Sequence, residues 1–255
     1  MSKAAGGRLL DWVAWLDGAA ASPFGPLPPV VVIDDPLLGH QAGLDAGPDA
    51  AKALRRLADG TLLQVRKIAS TAAGGRTVLE LEVLIGIGGE RLTLPVAVVA
   101  DTERVPGCTC LRTYYSRHLI GGSRLRPPFL AVAEVGQRGR CEPLDVVAGY
   151  QRALAAGDLA GVLGSLAADV TIREPSGGVH AGPTAAAAFY GELLRFGGVG
   201  LQHHAVTDDG TTCALEYSLV SFSGLALAPQ AGLGVYVRAG QRLVAIRLYD
   251  DPAGP

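Results

Sequence analysis

The sequence predicts an α+β fold that consists of two diverged copies of one domain in tandem. Three observations lead to this: short matches recur in the same order, alanine-rich stretches open with Gly-Pro, and long strand-like runs follow them. Helices followed by consecutive strands are typical of α+β domains. A single 255-residue α/β fold with accidental internal similarity is the alternative.

The first element of the repeat is a short β-rich run that ends in an acid and a proline. It spans residues 30–36 in the first copy and residues 169–175 in the second. Each run is followed by a histidine, His40 or His180, beside a glycine-rich turn. We expect these histidines to cap or bridge loops.

Each copy is also predicted to contain two helices. An alanine-rich helix begins with Gly-Pro at residues 47–57 and again at residues 182–194. Proline in the first turn with alanine after it favours a helix. A shorter helix is predicted ahead of the repeat, at Leu9–Leu16 and at Tyr150–Asp158.

Long strands complete each copy. In the second copy they are predicted near residues 201–208, 212–222, 230–238 and 242–250, with turns at residues 208–210 and 238–240. Three further pairs of motifs recur in these runs: Leu62–Gln64 with Gly200–Gln202, Leu79–Leu81 with Leu215–Tyr217, and Leu111–Tyr114 with Ile246–Tyr249. Five matches in one order indicate a duplication.

The domain boundaries follow from the repeat and from a basic stretch rich in glycine and proline around residues 117–145. We predict an N-terminal domain over residues 1–130, a linker over 131–145 and a C-terminal domain over 146–255.

Composition excludes several classes of protein. The net charge of −2 offers no basic face for nucleic acid. No apolar run reaches the ~18–20 residues that cross a bilayer, and the N-terminus makes a poor signal peptide, so we expect a cytoplasmic protein without a membrane partner. The four cysteines lack the paired spacing of a zinc site, and we expect no metal and no cofactor.

The second copy resembles a known superfamily in several motifs. Its first helix ends in Ala-Ala-Gly-Asp158, the next run ends in Arg-Glu-Pro175, Gly182-Pro opens the next helix, and Ile246–Asp251 closes the last strand. From Val146 to Asp251 it resembles the NTF2-like superfamily, in particular its SnoaL-like and ketosteroid-isomerase-like members. The resemblance implies two tandem cone-shaped domains, each a curved antiparallel sheet packed on helices.

The resemblance also implies catalytic residues. In ketosteroid isomerases the acid before the proline is the general base, and a tyrosine of the first helix donates to an oxyanion. The matching residues here are Glu174 and Tyr150, with Tyr190 in a supporting hydrogen-bond network. In the first copy Asp35 takes the position of the base, and the first helix offers tryptophans in place of the tyrosine.

Four more side chains of the second copy are expected to contact the substrate: His203, Tyr217, Tyr236 and Tyr249. His203 and His204 are adjacent in a strand, so only one of them can face a pocket.

A second carboxyl group is harder to place. The family's second donor acid has no counterpart in residues 232–237. Glu216 lies in the middle of a strand, where a glutamate is more often on the outer face; facing inward, it would be a second acid opposite Glu174.

Tandem domains of this kind are similar to the fused epoxide hydrolases and cyclases of actinobacterial polyketide pathways. The resemblance implies a small-molecule isomerase or cyclase that acts on a hydrophobic, oxygenated intermediate, polyketide- or terpenoid-like, by acid–base catalysis in the C-terminal pocket. One alternative is an epoxide hydrolase that forms cyclic ethers, although residues 62–64 and 201–202 lack the acid that such enzymes carry there.

A second alternative is a non-catalytic protein that binds a lipid-like ligand or acts as a scaffold, because fold alone does not decide function. An enzyme should bring Glu174 and Tyr150 to one cavity of ~300 Å³ or more. Since NTF2-like domains commonly pair through the sheet, we also expect an internal pseudo-dimer and a monomer in solution.

Overall fold

The computed structural model describes residues 30–36, 39–43, 62–87, 89–101, 108–120 and 142–250. The chain divides into two compact units, Met1–Ser123 and Arg124–Pro255. The helices predicted at residues 9–16 and 47–57 and most of the predicted linker lie outside the described residues. The linker's bounds therefore stay a prediction.

The described part of the first unit is a six-stranded sheet with a short 3-10 helix at His118–Ile120. Its strands are β1 (Val30–Asp35), β2 (Gly39–Gly43), β3 (Leu62–Ala73), β4 (Arg76–Ile87), β5 (Glu90–Asp101) and β6 (Cys108–Tyr114). The strand order across the sheet is β2-β1-β6-β5-β4-β3.

The second unit has three helices and six strands among its described residues. In chain order these are α1 (Asp145–Ala156), α2 (Leu159–Gly164), β7 (Leu166–Arg173), β8 (Val179–Ala181), α3 (Gly182–Leu193), β9 (Val199–Asp208), β10 (Thr212–Phe222), β11 (Leu225–Ala239) and β12 (Arg242–Tyr249). The order across the sheet is β8-β7-β12-β11-β10-β9, the same as in the first unit. The predicted duplication is thereby confirmed.

Both sheets are mixed, which differs in one place from the expected antiparallel sheet. Strand β1 pairs in parallel with β6, and β7 pairs in parallel with β12, while the other pairs are antiparallel. A parallel pair needs a long connection between its strands. In the second unit that connection contains α3 and the meander β9–β11, so the last strand returns beside the first.

Local signals explain where the helices of the second unit begin and end. Helix α1 ends at Gly157, which has a φ of 69° and donates to carbonyls of the last turn. A positive φ at this position favours glycine. Asp158 then caps α2 by accepting a hydrogen bond from the backbone of Gly161 at 3.0 Å. Helix α3 opens with Pro183, as the sequence predicts.

Strand β11 begins earlier than the sequence predicts. The prediction starts near residue 230, just after Pro229, yet the strand starts at Leu225. The register between β10 and β11 shifts between Leu219 and Ser221, close to where Pro229 passes. Proline is tolerated at such irregularities, where it removes no regular ladder bond, and the bulge bends the sheet.

The two faces of β10 have different roles. Leu215, Tyr217 and Leu219 belong to the hydrophobic core that the sheet forms with the helices. Glu216 alternates with them and therefore lies on the opposite face, which decides between the two orientations that the sequence left open, although it is only 4% exposed. It is not a second acid facing Glu174.

No helix in the described part of the chain has the length and apolar character to cross a membrane.

Candidate functional site

The second unit contains a cavity of about 120 Å³ between helices α1 and α3 and the core face of the sheet. Its walls are mostly apolar, with six polar side chains among them. The apolar residues are Leu154, Pro175, Phe189, Leu193, Val199, Leu201, Leu219, Phe222 and Leu248; the polar ones are Tyr150, Glu174, Tyr190, Tyr217, Tyr236 and Asp250. The cavity is smaller than the ~300 Å³ expected for a drug-sized ligand.

A pair of tyrosines from the two helices forms the buried end of the polar wall. The hydroxyl oxygens of Tyr150 in α1 and Tyr190 in α3 are 2.8 Å apart and share a hydrogen bond. Both side chains are almost fully buried. The resemblance implied this pairing, and the structure brings both residues to the cavity as expected.

A third tyrosine packs against this pair. The ring of Tyr236 lies 5.5 Å from that of Tyr150 between centroids. Its hydroxyl accepts a hydrogen bond of 2.7 Å from Nε2 of Gln151, which is next to Tyr150 in α1. Gln151 was not among the predicted site residues. The sequence marks it only as a polar residue next to the helix tyrosine; its burial is seen in the structure.

Burial makes these phenols harder to ionise than an ordinary tyrosine. Removal from water raises the pKa of Tyr150 well above its usual value, and burial does the same to the pKa of Tyr190, Tyr217 and Tyr236. A phenol that stays neutral near pH 7 can donate a hydrogen bond to an oxygen that gains negative charge. The tyrosine cluster is therefore suited to stabilise an oxyanion.

Two glycines of β11 make room for the aromatic rings. A Cβ added at Gly232 would lie 2.4 Å from Cε2 of Tyr217, and one at Gly234 would lie 2.4 Å from the hydroxyl oxygen of Tyr236. Both distances are too short for real carbon atoms. These two glycines thus leave the space that the Tyr217 and Tyr236 rings occupy.

Glu174 lies directly after β7, at the partly exposed rim of the cavity. Its backbone N–H donates to the carbonyl of Gly178 at 2.8 Å, which closes a tight turn before β8. Its carboxylate oxygen Oε1 is hydrogen-bonded to Nε2 of His180, and its side chain is 34% exposed. Glu174 and Tyr150 line the same cavity, as predicted, but at about 120 Å³ that cavity is smaller than the ~300 Å³ that the prediction also required.

Asp250 supplies a second carboxylate that the sequence analysis missed. It follows β12, lines the cavity and accepts a hydrogen bond from the hydroxyl of Tyr217. The alternation along the last strand could have revealed it, because Ile246 and Leu248 contact the core and Asp250 is the next residue of that face.

Two other predicted substrate contacts lie away from the cavity. Nδ1 of His203 is 2.9 Å from a carboxylate oxygen of the exposed Glu142. Tyr249 lies on the face of the sheet opposite Leu248. There Cζ of Arg173 lies over the tyrosine ring, 4.8 Å from the ring centroid. His204 also points elsewhere, since its Nε2 is 2.6 Å from Oγ of Ser218.

Asp35, the predicted base of the first copy, lies in a buried network of its own unit. It accepts hydrogen bonds from the hydroxyl of Tyr115 at 3.0 Å and from that of Thr113. The neighbouring Asp34 is paired with Nδ1 of His40 at 2.7 Å. The helices predicted at residues 9–16 and 47–57 of this copy lie outside the described residues.

Residues 147–245 match the family model described as the SnoaL-like domain. The second unit is therefore a SnoaL-like domain, which agrees with the resemblance inferred from its motifs. The first unit lies outside the matched residues, although its described strands have the same order. A search of curated proteins found no match.

Among solved structures, similar ones include an LEH-like epoxide hydrolase of M. tuberculosis, at 19% identity and a TM-score of 0.37, covering 41% of this chain and 78% of that one. An NTF2-like protein of unknown function from Burkholderia pseudomallei has 21% identity and a TM-score of 0.37, covering 42% and 88%. A protein with a ketosteroid isomerase-like fold from Catenulispora acidiphila, in complex with trimethylamine, has 15% identity and a TM-score of 0.35, covering 42% and 85%.

Proposed function

We propose that the second unit catalyses proton transfer on a small oxygenated molecule, as an isomerase or cyclase. The observation that carries this proposal is that a carboxylate, Glu174, and a neutral phenol pair, Tyr150 and Tyr190, line one mostly apolar cavity. Enolisation or ring closure requires at least a base and a hydrogen-bond donor that both contact the bound molecule.

The mechanism assigns one role to each group. Glu174 takes a proton from a carbon or hydroxyl of the substrate, and the electron pair left behind moves toward a substrate oxygen. Tyr150, with Tyr190 behind it, donates a hydrogen bond to that oxygen as its negative charge grows. Glu174 then returns the proton to a different atom. In a ring closure, the deprotonated hydroxyl adds to a C=C bond conjugated with the substrate carbonyl, the π electrons move to the oxygen that Tyr150 contacts, and Glu174 returns the proton to the carbon next to that carbonyl. The apolar walls strengthen both interactions because they keep water out.

The size and lining of the cavity limit the substrate. A space of about 120 Å³ admits a small molecule, or one oxygenated end of a longer polyketide- or terpenoid-like molecule. The nine apolar side chains around it favour a hydrophobic substrate over a sugar or a phosphate ester.

Asp250 favours epoxide hydrolysis as a second candidate. Opening an epoxide requires a base for the attacking oxygen and a proton donor for the leaving one. Glu174 and Asp250 place two carboxyl groups on one cavity, so they could share these roles.

Nitrobenzisoxazole, a small flat heterocycle, tests the proposal without knowledge of the natural substrate. A base that removes its ring proton breaks the N–O bond and releases a coloured phenolate, so the reaction uses both the base and the oxyanion donor. We expect turnover by the full chain, a loss of about 100-fold or more in Glu174→Gln, and a loss of about 10-fold or more in Tyr150→Phe.

Glu142→Gln is the matched control, because Glu142 is exposed and outside the cavity lining. Its turnover should equal that of the unchanged protein. A fully active Glu174→Gln would rule out the assignment of the base. Binding of the probe without any turnover would favour the non-catalytic alternative.

A further inference from the structure

His180 contacts the proposed base directly. It lies in β8, the edge strand that pairs with β7, opposite Ile172. From there its Nε2 reaches Oε1 of Glu174 across the turn, and both side chains are partly exposed, at 27% and 34%. The sequence predicted only that this histidine would cap or bridge a loop.

The other side of the His180 ring is held by a residue of the cavity. His180 stacks on Phe189 of α3 with 4.5 Å between ring centroids and 30° between the planes. Phe189 in turn packs edge-on against Tyr190, at 4.9 Å and 70°. The imidazole is therefore fixed between the carboxylate and the aromatic wall, and one line of contacts connects Glu174 to the tyrosine pair.

The first copy contains the same kind of pair. Nδ1 of His40 is 2.7 Å from Oδ1 of Asp34, and the histidine follows its acid by six residues in both copies. The partner in the first copy is Asp34, whereas Asp35 bonds to Tyr115 and Thr113. The hairpin thus has a histidine–carboxylate pair in both copies. Only in the second copy is the paired acid the one before the proline, Glu174, which lines the cavity.

A partly exposed glutamate needs such a partner to act as a base. The last torsion of a glutamate is broad and twofold, so its carboxylate rotates easily. A base is efficient only when the accepting oxygen stays in line with the proton that it removes, and a misplacement of ~1 Å can cost about 100-fold in rate. His180 limits that rotation through one oxygen of the carboxylate.

We propose that His180 is the positioning residue of the general base: it engages Oε1 of Glu174, Phe189 holds its ring, and Oε2 is left to accept the substrate's proton. This inference rests on the proposed function, since it assigns a role to His180 only through Glu174. It makes no use of His180 as a contact of the substrate.

Two substitutions separate the hydrogen bond from the stacking. His180→Phe keeps an aromatic ring on Phe189 but removes the hydrogen bond, while His180→Gln keeps an N–H donor near the position of Nε2 and removes the ring. With nitrobenzisoxazole and the full chain, we expect His180→Phe to lower kcat by about 10-fold or more at an unchanged KM. His180→Gln should recover most of that loss.

A double variant tests whether His180 acts through Glu174. In the Glu174→Gln background, His180→Phe should cause no further loss, because the group that it positions is already absent. His40→Phe, in the equivalent pair of the first copy, is the control that should leave turnover unchanged. Should His180→Phe fail to fold, His180→Leu replaces it in both comparisons.

Three results would overturn the inference: wild-type kcat in His180→Phe, an equal loss in His180→Gln and His180→Phe, or an additive loss in the double variant. None of them affects the proposed function if Glu174→Gln alone shows its expected loss of about 100-fold or more. An active Glu174→Gln, by contrast, would refute the proposed function itself.

Discussion

Gly232→Ala should destabilise the second unit and disturb the cavity at the same time. The added methyl would lie 2.4 Å from Cε2 and 2.8 Å from Cζ of Tyr217, and 2.9 Å from Cβ of Asp250. Tyr217 is only 2% exposed and its hydroxyl donates to Asp250, so the ring can give way only toward the cavity that it lines, at the expense of that hydrogen bond. The substitution therefore forces the ring or the strand to shift.

The expected magnitude follows from two contributions. Overpacking a well-packed core costs about 1–3 kcal/mol. Displacing the Tyr217 hydroxyl from Asp250 adds about 1 kcal/mol for the lost hydrogen bond. We expect the free energy of unfolding of the second unit to fall by about 2–4 kcal/mol.

Amide hydrogen exchange of peptides from residues 212–239 in the full chain is the appropriate assay. Both tryptophans are at positions 12 and 15, so tryptophan fluorescence would report on the first unit instead. Gly149→Ala and Gly191→Ala are matched controls, since an added Cβ there meets nothing within 4 Å in a helix. They should stabilise by about 0.5–1 kcal/mol. Protection in Gly232→Ala equal to or above that of the unchanged protein would refute the steric argument.

Two further predictions concern the strand ends near β9 and β10. The guanidinium of Arg238, which donates to Asp208 at 2.8 Å, lowers the pKa of that carboxyl. Because the pKa of Asp208 is lower in the folded protein than in the unfolded chain, the ion pair stabilises the fold above roughly pH 4, and this stabilisation is lost as the pH falls through the folded pKa. Asp208→Asn should therefore reduce the dependence of the free energy of unfolding on pH at acid pH, as measured by urea unfolding. An unchanged dependence would contradict the prediction. Burial raises the pKa of the Cys213 thiol to about 12, and we expect native Cys213 to resist iodoacetamide until urea unfolds the protein, as peptide mass spectrometry would show. Rapid labelling of the native protein would contradict that expectation.

Much of the second unit could be predicted because its signals are local. The strands predicted near 201–208, 212–222 and 242–250 are within two residues of β9, β10 and β12. The turns after Asp208 and Arg238 also form as expected; in the first of them, Asp208 accepts a hydrogen bond from the backbone of Gly210 at 2.9 Å. Turn residues, the helix-opening proline and period-two alternation act over a few residues, so the sequence displays them directly.

The site was predicted less completely because it depends on long-range pairing. Tyr150, Tyr190 and Glu174 were inferred from a resemblance, and the structure brings them to one cavity. His203 and Tyr249 are not brought there. A register shift in β9 opposite Tyr217 interrupts the alternation near His203, and Tyr249 lies on the face opposite Leu248. Neither the bulge nor the face of each strand can be inferred from residue type alone.

The sequence by itself determined the duplication, the acid-before-proline motif in each copy, and the order of the elements in the second copy except for α2 and β8, which it did not predict. Only the tertiary structure decided which groups meet: Tyr217 with Asp250, 33 positions apart, Gln151 with Tyr236, 85 positions apart, and Glu174 with His180 against Phe189. The reason is physical. Patterns along a chain specify local conformation, whereas a cavity and its hydrogen bonds depend on the register and curvature of a sheet whose strands are distant in sequence.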